Sequence, residues 1–374
     1  MTILDDAVHA RVVHDPGADV TAACRQHALS LAPLLAPAEL DALVQRVVAR
    51  VQGLGPLDPL LADPDVTEVM VNAGTEVWVE RAGRLERTDV HLAEGQAEQL
   101  VERIVAPLGL RIDRTAPVVD ARLPDGSRVH AVVAPLAVDG TCVCIRRFGT
   151  RAWPLAAYAP GEVVNLLTWA VEARCNIVVS GATSSGKTSL LNALAALVPS
   201  GERIITIEDA AELRLPGEHV VRLEARPATA DGVGAVSTRQ LLRAALRMRP
   251  DRLVVGEVRG GEALDMVQAL NTGHDGSLAT CHANTALDAL RRIESMMLEG
   301  GPGLPLAAVR EYVHASIDLV VHTARAPGGH RRIVEVAEVD VEPDGGRSRV
   351  RVLADAHRLV AEPRRWRGPA PWPR

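Results

Sequence analysis

The chain has 374 residues, long for one core and comfortable for two domains. Hydrophobic residues make up 47% and charged residues 24%, ordinary for a soluble globular protein, and with aromatics at 2% the core must be built from Leu, Val, Ile and Ala. The 41 basic residues stand against 47 acidic ones, and the net charge of −6 argues against a large duplex-binding surface while leaving room for a local basic groove.

Residues 1–36 are weakly patterned, and Asp5 and Asp6 come too early for a secretory signal peptide. No uninterrupted apolar run approaches the roughly 20 residues that span a bilayer, so any membrane association is expected to come through a partner. From Pro37 the pattern sharpens: Leu40, Leu43, Val44, Val47, Val48 and Val51 recur at helical spacing, and Gly53 with Gly55-Pro56 stops the helix. Residues 66–72 and 76–81 read as two strands around the turn Asn72-Ala73-Gly74. Gln96 to Leu108 reads as a second helix. Pro124-Asp125-Gly126 is a turn, and Asp139-Gly140 predicts a hairpin between 128–134 and 141–147. Together these elements make a small α+β domain.

Arg151 to Pro160 reads as a hinge. Beyond it Ile177–Ser180, Ile204–Ile207, Leu253–Gly256 and Ile317–Val321 are short apolar runs of the kind buried in a sheet covered on both faces. Their alternation with helical segments predicts a mainly parallel α/β sheet. Ala361 to Arg374, with four prolines, four arginines and two tryptophans, reads as a poorly ordered tail. Cys24, Cys142, Cys144, Cys175 and Cys281 contain no C-x-x-C pair, so neither a zinc site nor a disulfide framework is indicated, and a reduced cytoplasmic setting fits. Cys142 and Cys144 are expected on one strand face as small core residues.

Of the 41 basic residues, Lys187 is the only lysine. It lies in Gly181-Ala182-Thr183-Ser184-Ser185-Gly186-Lys187-Thr188, a G-x-x-x-x-G-K-[ST] loop between an apolar strand (176–180) and a helix opening at Ser189. The glycines let backbone N–H groups turn toward phosphate oxygens, and the helix N-terminus adds positive potential. Lys187 is expected to reach the β- and γ-phosphates, and the Thr188 hydroxyl to hold Mg²⁺. Hydrolysis also needs a placed carboxylate. Leu253 to Gly256 leads into Glu257, and Ile204 to Ile207 leads into Glu208, Asp209 and Glu212; both strand ends would face a ligand crevice. His274 and His282, in a turn–strand–turn segment, are expected near the γ-phosphate.

Five segments in order carry a resemblance: Asp120 to Arg128, Gly181 to Thr188, Ile207 to Leu213, Gly256 to Ala263, and Thr272 to Asn284. They resemble the type II/type IV secretion and pilus ATPases, and within them the CpaF-type ATPase of Flp (Tad) pili. The resemblance implies a RecA-like P-loop motor domain preceded by a smaller α+β domain. The corresponding boundaries are a helical segment 1–56, a sensor (PAS-like) domain 57–150, a hinge 151–160, a motor domain 161–345, and a strand and tail 346–374. It implies a homo-hexamer on the cytoplasmic face of the inner membrane, working on an integral platform protein, with ATP and Mg²⁺ as substrate and metal. Glu257 would be the general base, Glu208 and Asp209 would organise Mg²⁺ and water, and His282 would sense the γ-phosphate. Arg128 and Arg146 would reach the phosphates in cis, with Arg122 and Arg147 as substitutes. Arg247, Arg249 and Arg259 would be intersubunit or sensor arginines. Ser184-Ser185 stands where Gly-Ser is commoner and is expected to stiffen the loop. The absence of a tetracysteine module points toward the Tad and conjugation branch. Two further functions remain open: a DNA-translocating conjugal ATPase and a nucleotide-gated scaffold that does not hydrolyse.

Overall fold

The computed structural model describes residues 3–14, 19–81, 83–147, 153–226, 228, 233–326, 329–340 and 347–364. Residues 151 and 152 of the expected hinge, and the expected tail from 365 onward, lie outside the described residues. The chain divides into two compact units, Met1–Phe148 and Gly149–Arg374.

The first unit opens with three helices, α1 (Ile3–His14), α2 (Val20–Leu31) and α3 (Pro37–Gln52). Val8, Val12, Cys24, Ala28, Leu43 and Val47 form their own buried cluster. Asp5 is buried there and accepts two hydrogen bonds from Arg46, at 2.9 and 3.1 Å. The weak pattern of residues 1–36 therefore hides two helices, because α1 buries little more than Val8 and Val12 on the bundle side.

After α4 (Asp58–Ala62) come β1 (Val66–Asn72), β2 (Glu76–Arg81), β3 (Arg84–His91), α5 (Gln96–Val105), β4 (Val118–Arg122), β5 (Arg128–Val132) and β6 (Cys142–Arg146). The strands make one antiparallel sheet in the order β3-β2-β1-β6-β5-β4. Val69, Val71, Val77, Val79, Val129, Val143 and Ile145 alternate onto the face that α5 covers with Leu100, Val101 and Ile104. That alternation corrects one expectation: Val143 and Ile145 take the core face of β6, so Cys142 and Cys144 lie half-buried on the other. β5 and β6 do pair, but residues 133–141 connect them as a loop longer than the tight turn expected from Asp139-Gly140.

The second unit runs α6 (Gly161–Glu172), β7 (Ile177–Gly181), α7 (Lys187–Ala195), β8 (Ile204–Glu208), β9 (Val220–Glu224), α8 (Thr238–Ala245), β10 (Arg252–Val258), α9 (Glu262–Leu270), β11 (Leu278–His282), α10 (Ala286–Gly300), α11 (Leu306–Ser316), β12 (Leu319–Arg325), β13 (Arg331–Asp340) and β14 (Arg349–Asp355). Its sheet has the order β14-β13-β12-β7-β11-β10-β8-β9; β9 to β12 in that row are parallel, and β13 and β14 close one edge antiparallel. Ile177 and Val179 face a core shared with α6 and α7, while Val178 faces a second core shared with α9, α10 and α11. This two-sided burial is why β7 and β8 read as continuous apolar runs.

From β7 the chain goes to one side for β8 to β11 and to the other side for β12. The carboxyl edge at β7 is therefore a topological switch point, where such sheets hold their ligands. Parallel register sets Gly181 opposite His282 on that edge, with Glu208 and Glu257 at or near the ends of neighbouring β8 and β10.

Candidate functional site

The loop after β7 has the backbone that its glycines allow. Gly181 has φ +156° and Gly186 φ +96°, and a Cβ on Gly186 would come within 2.7 Å of Arg331 Cδ. Ser184 also adopts a left-handed conformation, φ +59°, so the serine in place of glycine falls where an L side chain is strained. Helix α7 starts at Lys187 directly after Gly186, so its first N–H groups open onto the loop. The Lys187 side chain is buried, donating to the Ala182 carbonyl at 2.9 Å and lying 3.3 Å from His282 Nδ1. Thr188 and Ser189, on the first turn, are half-buried.

His282 joins this cation to the expected base. Its Nε2 lies 3.0 Å from Glu257 Oε1, close but without good hydrogen-bond alignment. With Lys187 donating to Nδ1, the neutral tautomer that satisfies both neighbours carries its proton on Nε2, facing Glu257. Burial, reinforced by the Lys187 charge, pushes the His282 pKa down and favours that neutral ring. Arg259 Nη2 takes the other oxygen of Glu257 at 2.8 Å, and its Nη1 lies 3.9 Å from Asp209 Oδ2. Burial works to raise the Glu257 pKa, but Arg259, His282 and Lys187 outweigh it and hold the carboxyl below its usual range.

Glu208 is buried deeper, at 2% exposure, against Gly256, where a Cβ would come 2.8 Å from its Cγ. Its Oε1 accepts from the backbone N–H groups of Glu212 and Leu213 at 2.8 and 2.9 Å, pinning the loop after β8. Its Oε2 has no hydrogen-bond partner. Burial outweighs the backbone donors and lifts the pKa to about 7. Asp209 is half-exposed and accepts from the Thr238 hydroxyl at 2.6 Å. Among the described residues no cluster of three His, Cys, Asp or Glu has metal-binding geometry. The oxygens on offer are those of Thr188, Asp209 and Glu208 Oε2, a set suited to Mg²⁺, which takes one or two protein oxygens and fills the rest with phosphate and water.

His322 was not singled out by the sequence. It lies on β12, and its Nδ1 is 2.9 Å from Ser180 Oγ at the end of the β7 core, a contact across 142 residues that no local signal announces. Next to it, Thr323 Oγ1 donates to the Ser185 carbonyl at 3.1 Å.

Other expected residues fall elsewhere. His274 Nδ1 is 3.1 Å from the Ala269 carbonyl, at the amino end of β11, the edge opposite His282. This corrects the expectation that both histidines stand near the phosphate. Arg247 and Arg249 are exposed just before β10, again on the amino edge. In the first unit Arg122, Arg128 and Arg146 lie directly opposite one another across β4, β5 and β6, a row of like charges suited to an anion. Arg147 instead donates to the Val66 carbonyl at 2.7 Å and to the Asp63 carbonyl.

Known proteins resemble this chain in sequence and in fold. A putative conjugal transfer protein of Mycobacterium tuberculosis is 39% identical over 316 residues, covering 81% of this chain and 89% of the relative. The type IV secretion system protein PtlH of Bordetella pertussis is 35% identical over 319 residues, covering 75% and 92%. The ATPase DotB of Legionella pneumophila, 20% identical with a TM-score of 0.54 over 74% of this chain and 78% of its own, shares the fold: an α+β domain followed by a RecA-like domain. Residues 50–348 match the family described as type II/IV secretion system protein, and the chain belongs to that family.

Proposed function

We infer that this chain is an ATPase that hydrolyses ATP at the carboxyl edge of its second unit to drive a secretion or pilus-assembly machine. The observation that carries the reading is the convergence of Lys187 and Glu257 on the two nitrogens of one imidazole, His282. The backbone of residues 181–187 and the Lys187 ammonium bind the β- and γ-phosphates. Glu257, kept ionised by Arg259, takes a proton from the water that attacks the γ-phosphorus, and ADP leaves with the bonding pair of the broken P–O bond. His282 lies between phosphate-binding cation and base, and so registers the γ-phosphate at both. Thr188, Asp209 and Glu208 Oε2 would hold Mg²⁺, which supplies charge neutralisation on the phosphates. Arg128 and Arg146 would add positive charge from the first unit.

The finer assignment is a homo-hexameric ring on the cytoplasmic face of the inner membrane, pushing on an integral platform protein of a Flp (Tad) pilus. Among the described residues no helix is long and apolar enough to cross a membrane. A second reading, conjugal DNA translocation, is favoured by the name of the Mycobacterium tuberculosis relative. The two separate in one assay of phosphate release by the full chain with Mg²⁺ and ATP. The pilus reading expects turnover that duplex and single-stranded DNA leave unchanged at low salt. Stimulation by DNA that falls steeply with salt would favour translocation. Undiminished turnover in Lys187→Ala would sink both.

A further inference from the structure

The sheet order gives the phosphate loop two unlike sides. On the β11–β10–β8 side stand His282, Glu257, Asp209 and Glu208. On the other side the β12–β13 hairpin holds the loop along its length: His322 meets Ser180, Thr323 meets Gly181 and Ser185, and the stem of Arg331 covers Gly186. Arg331 lies directly opposite Arg325 in the strand register, a like-charge pair that is unfavourable by itself and suits an anionic or π-rich neighbour. Behind it, Tyr158 is buried, its hydroxyl beside the Ser189 side chain, short of good hydrogen-bond alignment, and near the Arg331 charge.

We propose that Arg331, its guanidinium backed by the buried Tyr158 hydroxyl, holds the nucleoside end of the bound nucleotide by stacking on the purine ring. The inference rests on the ATPase reading. If Glu257 activates the attacking water, the γ-phosphate faces β10, and a triphosphate laid along residues 181–188 runs back toward β12, β13 and the first turn of α7. The base then leaves the loop beside Gly186, where the Arg331 stem already lies. A planar guanidinium stacks favourably on an aromatic face, and the part of Arg331 that lies over the phosphate loop is its apolar stem, so Arg331 bears on the nucleoside more than on the phosphates. The glycine and the arginine fit each other: a side chain at 186 would displace the stem.

The test compares ADP with inorganic pyrophosphate, the same phosphates with and without the nucleoside, by calorimetric titration of the full-length protein. Arg331→Met keeps an unbranched stem over Gly186 and removes the guanidinium. It is expected to weaken ADP about tenfold while pyrophosphate stays within about twofold of wild type. Tyr158→Phe removes only a hydroxyl and keeps the packing, so it serves if the first variant does not fold; ADP is expected to weaken about threefold, again with pyrophosphate unmoved. Unchanged ADP affinity in Arg331→Met would overturn the proposal, as would a parallel loss of ADP and pyrophosphate, which would assign Arg331 to the phosphates. Failure of the wild-type protein to bind either ligand would overturn the nucleotide reading itself, a result distinct from both.

Discussion

Ser184 in the phosphate loop and Glu208 at the end of β8 each hold a state that their surroundings impose on them: a left-handed backbone in one, a raised pKa in the other. The left-handed backbone at Ser184, φ +59°, forces its Cβ toward the following carbonyl, a strain that glycine escapes. Ser184→Gly should therefore raise stability by about 0.5–1 kcal/mol, after allowing for the freer unfolded chain, read as a higher thermal midpoint. A lower midpoint would mean that the serine side chain contributes more than the strain costs. Glu208 titrates near 7 in the folded protein against 4.5 when unfolded, because burial disfavours its charge. Between these values the folded state binds more protons than the unfolded one, so the contribution of Glu208 falls as pH rises from about 4.5 to about 7. The loss approaches about 3 kcal/mol in metal-free protein at pH 8. Glu208→Gln, melted in EDTA, should flatten that decline; a wild-type curve unchanged by the substitution would remove Glu208 as its source.

At the scale of elements, the two edges of the second sheet have separate tasks. The carboxyl edge gathers the reactive groups, and the amino edge is tied by buried polar networks. Arg252, with 0% exposure, reaches Glu202 through two bonds at 2.7 and 3.0 Å and the Val171 carbonyl at 2.7 Å. Burial tends to raise the Glu202 pKa, but Arg252 and Arg174 overcome it and hold the carboxylate ionised. Arg252→Ala leaves that carboxylate with Arg174 alone, at 2.9 Å, and a cavity where the buried guanidinium was, and should cost about 3 kcal/mol in denaturant unfolding. A loss below about 1 kcal/mol would show the network to be dispensable. The same elements show what a sequence reveals. β7, β8 and β10 are legible because burial on both faces leaves uninterrupted Val and Ile. β3 is not, because Arg84 to His91 lies at the sheet's edge, largely exposed, and has no apolar alternation to display. The loop, Glu257 and His282 were legible from short-range motifs. His322 and Arg331 were not, since strand pairing across more than a hundred residues brings them to the loop.

For the whole molecule, the family match spans both units and supports one working protein rather than an isolated nucleotide module. The ring reading expects six copies of the 39.8 kDa chain, about 239 kDa, by light scattering with nucleotide and Mg²⁺. A mass that stays at one copy at all protein concentrations would refute the ring while leaving the site intact. If Lys187 holds ATP and Glu257 activates the attacking water, pairing ATP titration with single-turnover hydrolysis in Glu257→Gln separates the two roles. That substitution keeps size and shape but removes the proton acceptor. ATP affinity is expected within a few-fold of wild type and the hydrolysis rate lower by about 10²–10⁴. Hydrolysis at the wild-type rate in Glu257→Gln would contradict that role of Glu257.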